Sequence, residues 1–483
     1  MRLSTTAISI LLLVLGACST SGGTGSGRSG AIEQPNVLFL VVDDQNDWVG
    51  VTGGHPQATT PNIDRLARRG MLFANAYTVA PACNASRTAV MTGIRPSTSG
   101  VYFNPQRWRS VLPDAVIIPE QFRRHGYKAM GGGKILHGML DPDSWDQYFP
   151  SKERAIPGDP LPEVRPLNGI PRTGNFDWGA LDVADHEMGD AQVADWAIAE
   201  LGKEHDKPFF LAVGIYKPHL PWYVPQKYFD MHPLDQIELP AVIDNDLDDI
   251  PPLGLKMAYM NTSGGIPPEN PDRSQSDHAR VLEYGQWERA VQGYLASMTF
   301  ADAQIGRVLD ALDASDYADN TIIVFWTDHG WNLGEKEHWR KFALWEDTTR
   351  TPVIIVAPGV TEADTRSTRP VSLLDIYPTL LDLCGISPTE ELEGVSLRPL
   401  LTDPDAEWEH AAVTTHGRNN HAVRTDRWRY IRYSDGTEEL YDHSNDPHEW
   451  YNLADEPEHA QTKERLARRL PAVNVPQASD GSQ

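Results

Sequence analysis

Four stretches of the chain are apolar without alternation: Asn36–Val42, Phe209–Ile215, Thr321–Trp326 and Pro352–Val356. An unbroken apolar run of this length reads as a strand covered on both faces, as in a parallel sheet flanked by helices. Between these runs, apolar residues recur at helical spacing. Pro61–Arg69 is closed by Gly70, a second helix follows Cys83, Pro119–His125 is closed by Gly126, and Val291–Leu312 is long. Strands alternating with helices predict an α/β sandwich around a large, mostly parallel sheet. Polar residues lie just past the carboxyl ends of two of the strands, Asp43-Asp44 and Asp328-His329. Open α/β sheets place their ligands there.

The texture changes after about residue 365. A helix over Leu373–Leu381 leads to Cys384, and short alternating strands follow at His421–Arg424, Trp428–Tyr433 and Glu438–Tyr441. Asp435-Gly436 supplies the hairpin turn between the last two. This is a small antiparallel sheet, followed by a helix over Thr462–Leu470. The predicted units are a main domain over 35–364, a smaller subdomain over 365–475 and a disordered tail over 476–483. The segment 240–280 is rich in Pro, Asp, Asn and Gly and reads as a long excursion that shapes the mouth of a site.

The net charge of −25 over 483 residues argues against a nucleic-acid partner. An acidic protein that acts on an acidic polymer must gather positive charge locally, which draws attention to basic residues near any motif. The three cysteines, Cys18, Cys83 and Cys384, offer no disulfide framework. Cys384 lies in an apolar run and reads as a core thiol. Residues 1–17 have the charged start and short apolar core of a signal peptide. They end in Leu15-Gly16-Ala17-Cys18, which resembles the bacterial lipobox, and 18–34 is a Ser/Gly-rich tether. The expectation is an exported chain whose membrane contact is a lipid on Cys18, in the outer membrane or periplasm of a Gram-negative cell.

Cys83-Asn84-Ala85-Ser86-Arg87-Thr88-Ala89-Val90-Met91-Thr92-Gly93 carries the chemistry. A cysteine at a helix start is by itself a thiol of lowered pKa. The full run resembles the signature of the type I, formylglycine-dependent sulfatases. In that family the cysteine is oxidised by a maturation enzyme to formylglycine, and one hydroxyl of its hydrate attacks sulfur while the other later expels sulfate. The run departs from the commoner pattern at Ala85, where many members have Pro, and at Ile94, where Arg is commoner.

An Asp-Asp pair after a strand is by itself a cap or turn, but two acid-bearing pairs at strand ends suit a hard divalent cation. The resemblance implies one calcium ion held by Asp43, Asp44, Cys83 as formylglycine, Asp328 and His329. His329 stands where Asn is commoner, which resembles the iduronate-2-sulfatase branch, and imidazole is the softer ligand. Lys134 and His137 in Gly133-Lys134-Ile135-Leu136-His137, His219 in Tyr216-Lys217-Pro218-His219, and Lys341 match the segments that contact hydrate and sulfate. With Arg87 they would form a positive pocket around the sulfate. His219 is the candidate acid for the departing sugar oxygen, with His137 second. Arg107, Trp108 and Arg109 are candidates to meet a carboxylate and a sugar face, and Trp222 a pocket wall.

The resemblance runs from about Asn36 to Leu453 and implies an alkaline-phosphatase-like core with 35–364 as the catalytic domain. The implied activity is hydrolysis of a sulfate ester on a sulfated, uronate-containing glycan. The alternatives are a phosphonate monoester or phosphodiester hydrolase on the same fold, or a lipid-anchored glycan-binding protein with an unmodified Cys83.

Overall fold

The computed structural model describes residues 34–138, 140–262 and 264–479. The predicted signal peptide, Cys18, the tether up to residue 33 and the last four residues lie outside the described residues. Among those described, no helix is long and apolar enough to cross a membrane.

A nine-stranded mixed sheet forms the centre. Its strands run, edge to edge, Thr365–Ser367, Met71–Tyr77, Arg350–Val356, Thr321–Thr327, Asn36–Val42, Phe209–Ile215, Lys128–Gly133 and Gln147–Phe149, and Val371–Ser372 also pairs with Met71–Tyr77. Asn36–Val42 is parallel to both its neighbours, as the unbroken apolar runs predict. Arg350–Val356 differs: it is buried at all but its two end residues, yet antiparallel to the strands on either side. Burial on both faces sets the apolar run, whereas direction is set by the connection.

Alternate side chains of the central strand enter two separate cores. Val37, Phe39 and Val41 pack with the helices Cys83–Thr92, Ile118–Arg124 and Ile376–Leu383. Leu38, Leu40 and Val42 pack with Pro61–Ala67, Gly189–Leu201 and the 27-residue helix Trp287–Asp313. The strand Lys128–Gly133 has no strand signature, because half of it is glycine. The structure requires this: Gly133 has φ 75°, and a Cβ there would lie 1.9 Å from the Gly214 carbonyl oxygen. Only glycine allows that approach, and it sets the position of Lys134 immediately after.

The C-terminal sheet is antiparallel and four-stranded: Ala412–Thr415, His421–Arg424, Trp428–Arg432 and Glu438–Asp442. The helix Ala460–Ala467 starts two residues before its predicted position, led in by the turn Pro457–His459. Of the predicted tail, residues 476–479 are described, and Ala478 is tied to the main domain next to Val475. The N–H groups of Val475 and Ala478 donate to Ser97 O and Gly100 O, each at 2.9 Å, and Gln106 Nε2 donates to Ala478 O at 2.8 Å. A segment without an apolar pattern still pairs its backbone, and sequence periodicity does not register that.

The small sheet is tied to the main domain by buried charge. Arg429 is wholly buried and ion-pairs with Glu346 and Glu449. Arg424 Nε reaches Glu346 Oε2 at 3.2 Å, and Tyr77 Oη donates to Glu346 Oε1 at 2.9 Å. Removing Arg429 leaves Glu346 with Arg424 and Tyr77, and Glu449 with His443, so two buried carboxylates each lose a countercharge. Arg429→Ala is therefore expected to lower unfolding free energy in urea by about 3–5 kcal/mol. A loss under about 1 kcal/mol, the range of exposed pairs, would show that water already compensates this cluster.

Candidate active site

Parallel pairing brings the acid pairs together. Val42 lies opposite Thr327 in register, so Asp43-Asp44 and Asp328-His329 leave the sheet side by side. All four residues are fully buried. Asp44 takes a left-handed backbone, φ 60°, and its N–H donates to Asp328 Oδ1 at 3.1 Å. Arg87, one helical turn after Cys83, organises the acids. Its Nε reaches Asp328 Oδ2 at 2.8 Å, its Nη2 reaches Asp43 Oδ1 at 2.9 Å, and its Nη1 donates to the carbonyls of Lys134 and Ile135 at 2.5 and 3.1 Å. Expected to face a sulfate, Arg87 instead spends its donors inside the protein, with no exposed surface. It positions the acids.

Cys83 begins the ten-residue helix Cys83–Thr92 and is buried. Its Sγ lies 3.0 Å from Lys341 Nζ, 3.4 Å from His329 Nε2 and 3.7 Å from Asp44 Oδ1. Lys341 Nζ also reaches Asp44 Oδ1 at 2.5 Å, and Lys134 Nζ ion-pairs with Asp43. Burial raises the Cys83 thiol, but Lys134, Lys341 and His329 outweigh it and hold the thiol well below its ordinary value. The site therefore favours an anion where the thiol sits. Burial also raises Asp43, and Lys134 and Arg87 overcome it and keep the carboxyl ionised. Asp44 is less well compensated: burial, opposed chiefly by Lys341, pushes it up to about 8.

Two further histidines face this centre. His219 Nε2 is 3.8 Å from Asp44 Oδ2, and its Nδ1 is 2.7 Å from Leu220 O. A carbonyl only accepts, so Nδ1 carries a proton and Nε2 is the nitrogen that exchanges one. Burial, Lys341 and Lys134 hold His219 down to about 4. A bound anion would act in the opposite direction. His137 is half-buried near the Cys83 thiol, which it helps to hold down.

The aromatic and arginine candidates fare differently. Trp222, expected as a pocket wall, has no exposed surface; it packs on Trp178, Tyr294 and Trp331 in the core and donates to Pro218 O at 2.6 Å. Trp108 is likewise buried, beneath Arg109. Arg109 ion-pairs with Asp141 and donates to Ala115 O at 2.7 Å. Both serve structure rather than a sugar; Arg107 is exposed. Residues given no role by the sequence motifs also reach the site. Asn104 Oδ1 accepts the Asn84 N–H at 3.1 Å, and the Tyr216 ring packs tilted against His219 with ring centroids 4.6 Å apart. The excursion 240–280 arrives here too: Gly264 O accepts the Asn104 N–H at 3.4 Å, and Asp277 Oδ2 takes Arg340 Nε at 2.5 Å, next to Lys341.

The donor set fits a divalent cation. Ligand atoms of Asp44, Cys83, Asp328 and His329 all lie within 4.8 Å of one another. Asp44 Oδ2 is buried without a hydrogen-bond partner. Burial raises its pKa and Lys341 compensates only in part, so a dication would stabilise the ionised carboxylate. Burial lowers His329, but Asp328 and Cys83 raise it to about 9. A metal would have to displace that proton. The cluster Glu346, His443 and Glu449 has similar spacing, but Arg429 and Arg424 already neutralise it.

Comparison with known proteins agrees with this geometry. Residues 35–386 match the sulfatase family, and 334–475 match the C-terminal region of N-sulphoglucosamine sulphohydrolase. A sulfatase of Formosa agariphila is 39% identical over 96% of this chain and 92% of its own. Human iduronate 2-sulfatase is 31% identical over 77% of this chain and 73% of its own. In fold alone, phosphonate monoester hydrolase from Silicibacter pomeroyi aligns with a TM-score of 0.72 at 23% identity, over 90% of this chain and 94% of its own. The chain belongs to the sulfatase family and is a sulfuric ester hydrolase.

Proposed function

We propose that this sulfatase hydrolyses a sulfate ester on a uronate-containing glycan through formylglycine at position 83 and a calcium ion. The observation that carries the mechanism is the meeting of Cys83, two lysines, two histidines and three carboxylates within one buried centre. The glycan reading draws on the 31% identity to human iduronate 2-sulfatase and on His329 in the last ligand position. Formylglycine hydrate would supply the nucleophilic hydroxyl and release sulfate by reverting to the aldehyde. Calcium, held by Asp43, Asp44, Asp328 and His329 with position 83, would polarise a sulfate oxygen. Lys134 and Lys341 bind and orient the sulfate, and Arg87 keeps Asp43 and Asp328 in place. His219 Nε2 holds the proton for the leaving oxygen, with His137 beside it.

The reaction class rests on the sulfatase relatives at 39% and 31% identity. The phosphonate hydrolase shares the fold and leaves the class unchanged. A maturation enzyme that accepts Ala85 is required as a partner. Residues 1–33 support export and lipid attachment at Cys18, facing the outer membrane or periplasm.

In chain purified from its own host, the Cys83 peptide is expected to react with an aldehyde-selective hydrazide. Cys83→Ala should lower desulfation at least about 10⁴-fold while its melting temperature stays near that of the parent. An intact thiol in fully active enzyme would rule the nucleophile out.

Dialysis against a chelator is expected to abolish turnover of a 2-sulfated iduronate disaccharide, and calcium should restore it while raising the melting temperature. Full activity in metal-depleted protein, confirmed by elemental analysis, would refute the ion. Restoration by manganese but not calcium would correct its identity. Activity on sulfated sugars that lack a uronate, with none on this disaccharide, would overturn the glycan assignment.

Cys18→Ser is expected to shift the chain from the membrane fraction to the soluble one. Unchanged partitioning would exclude the lipid.

A further inference from the structure

We propose that Tyr216 is a positioning residue that sets the plane of the His219 imidazole, so that Nε2 meets the leaving-group oxygen. This rests on the acid role given to His219 above. The loop that carries both residues is fixed almost entirely through its backbone. Asp190, buried in the first turn of Gly189–Leu201, takes the Tyr216 N–H on Oδ1 at 2.7 Å and the Lys217 N–H on Oδ2 at 2.8 Å. Lys217 is buried and donates to Pro221 O at 2.8 Å, with Asp159 Oδ2 at 3.2 Å. Trp222 Nε1 closes the far side on Pro218 O at 2.6 Å.

The imidazole itself is less constrained. Its one backbone anchor is Nδ1 on Leu220 O at 2.7 Å. Its Nε2 faces Asp44 Oδ2 at 3.8 Å and the Cys83 thiol, and contacts at the two nitrogens leave the ring free to tilt about the line between them. Tyr216 removes that freedom. Its ring lies 4.6 Å from the imidazole at an interplanar angle of 34°, and its hydroxyl donates to the same Leu220 carbonyl at 3.2 Å. Lys134 Nζ and Lys217 Nζ sit 5.3 and 5.4 Å from the tyrosine ring centroid. Both cations lie within cation–π range of the tyrosine ring and help to hold it beside the histidine. Proton donation depends on hydrogen-bond reach and direction, so a swung imidazole loses its function while the sulfate contacts survive.

This separation can be measured with a series of aryl sulfates, from 4-nitrophenyl sulfate to phenyl sulfate, on the matured full chain. A good leaving group needs no acid and a poor one does. Tyr216→Leu is expected to lose about tenfold or more on phenyl sulfate and little on 4-nitrophenyl sulfate, so that kcat falls more steeply with leaving-group basicity. Tyr216→Phe, which keeps the ring, should follow the parent. His219→Ala is run beside them. If His219→Ala is steep and Tyr216→Leu is not, or if Tyr216→Leu loses equally on every ester, the assignment to Tyr216 falls and the acid role stands. If His219→Ala shows no dependence on the leaving group, the acid role fails and the Tyr216 assignment with it.

Discussion

Charge balance in a buried space governs this structure. Asp43, Asp44 and Asp328 are buried without exposed surface at the carboxyl edge of the sheet, facing Arg87, Lys134 and Lys341. Neither set is tolerable alone, because an unpaired buried charge costs several kcal/mol. Together they are neutral, and on the proposed reading a divalent cation adds two positive charges. A sulfate monoester and an ionised nucleophile are the anions that such a centre then lacks. The pocket attracts its substrate because its own charges are otherwise spent, in a chain whose net charge of −25 repels anions elsewhere.

The scaffold serves this balance at close quarters. Glycine at 133 lets two strands approach until Lys134 emerges opposite Asp43. The pairing of Val42 with Thr327 brings both acid pairs to one edge, and the helix beginning at Cys83 places Arg87 one turn below, where it can bridge them. Each of these is a backbone decision. Side-chain identity then converts the geometry into electrostatics, and that is why one arginine can tie three loops.

Much of this was legible in the chain itself, for physical reasons that also mark the limits. Asn36–Val42, Phe209–Ile215 and Thr321–Thr327 announce themselves because a doubly covered strand must be apolar throughout. Lys128–Gly133 does not, since its fitness lies in close approach rather than hydrophobicity. The residues Asp43, Asp44, Cys83, Lys134, His219, Asp328, His329 and Lys341 do converge, as their motifs imply. Trp222 and Trp108 were misread because sequence neighbourhood is not spatial neighbourhood. Trp222 is three residues from His219 yet points into the core. The roles of Tyr216 and Asn104, a ring packed against an imidazole and a held N–H, are not read from sequence because they are defined only by what they touch in space.

The C-terminal sheet belongs in the same account. It lies behind the segment that carries Lys341, and its Arg429 grips Leu344 O at 2.9 Å and ion-pairs with Glu346, a few residues further on. Phe342, next to Lys341, donates its N–H to Pro81 O at 3.0 Å, two residues before Cys83. The segment from Lys341 to Glu346 is thereby pinned at one end to the Cys83 loop and at the other to the small sheet. A lysine is a flexible point charge, and its value to a preorganised site depends on how little it can move. The buried arginine cluster under the small sheet and the lysine at Cys83 Sγ are two ends of one device: the former fixes the backbone from which the latter projects.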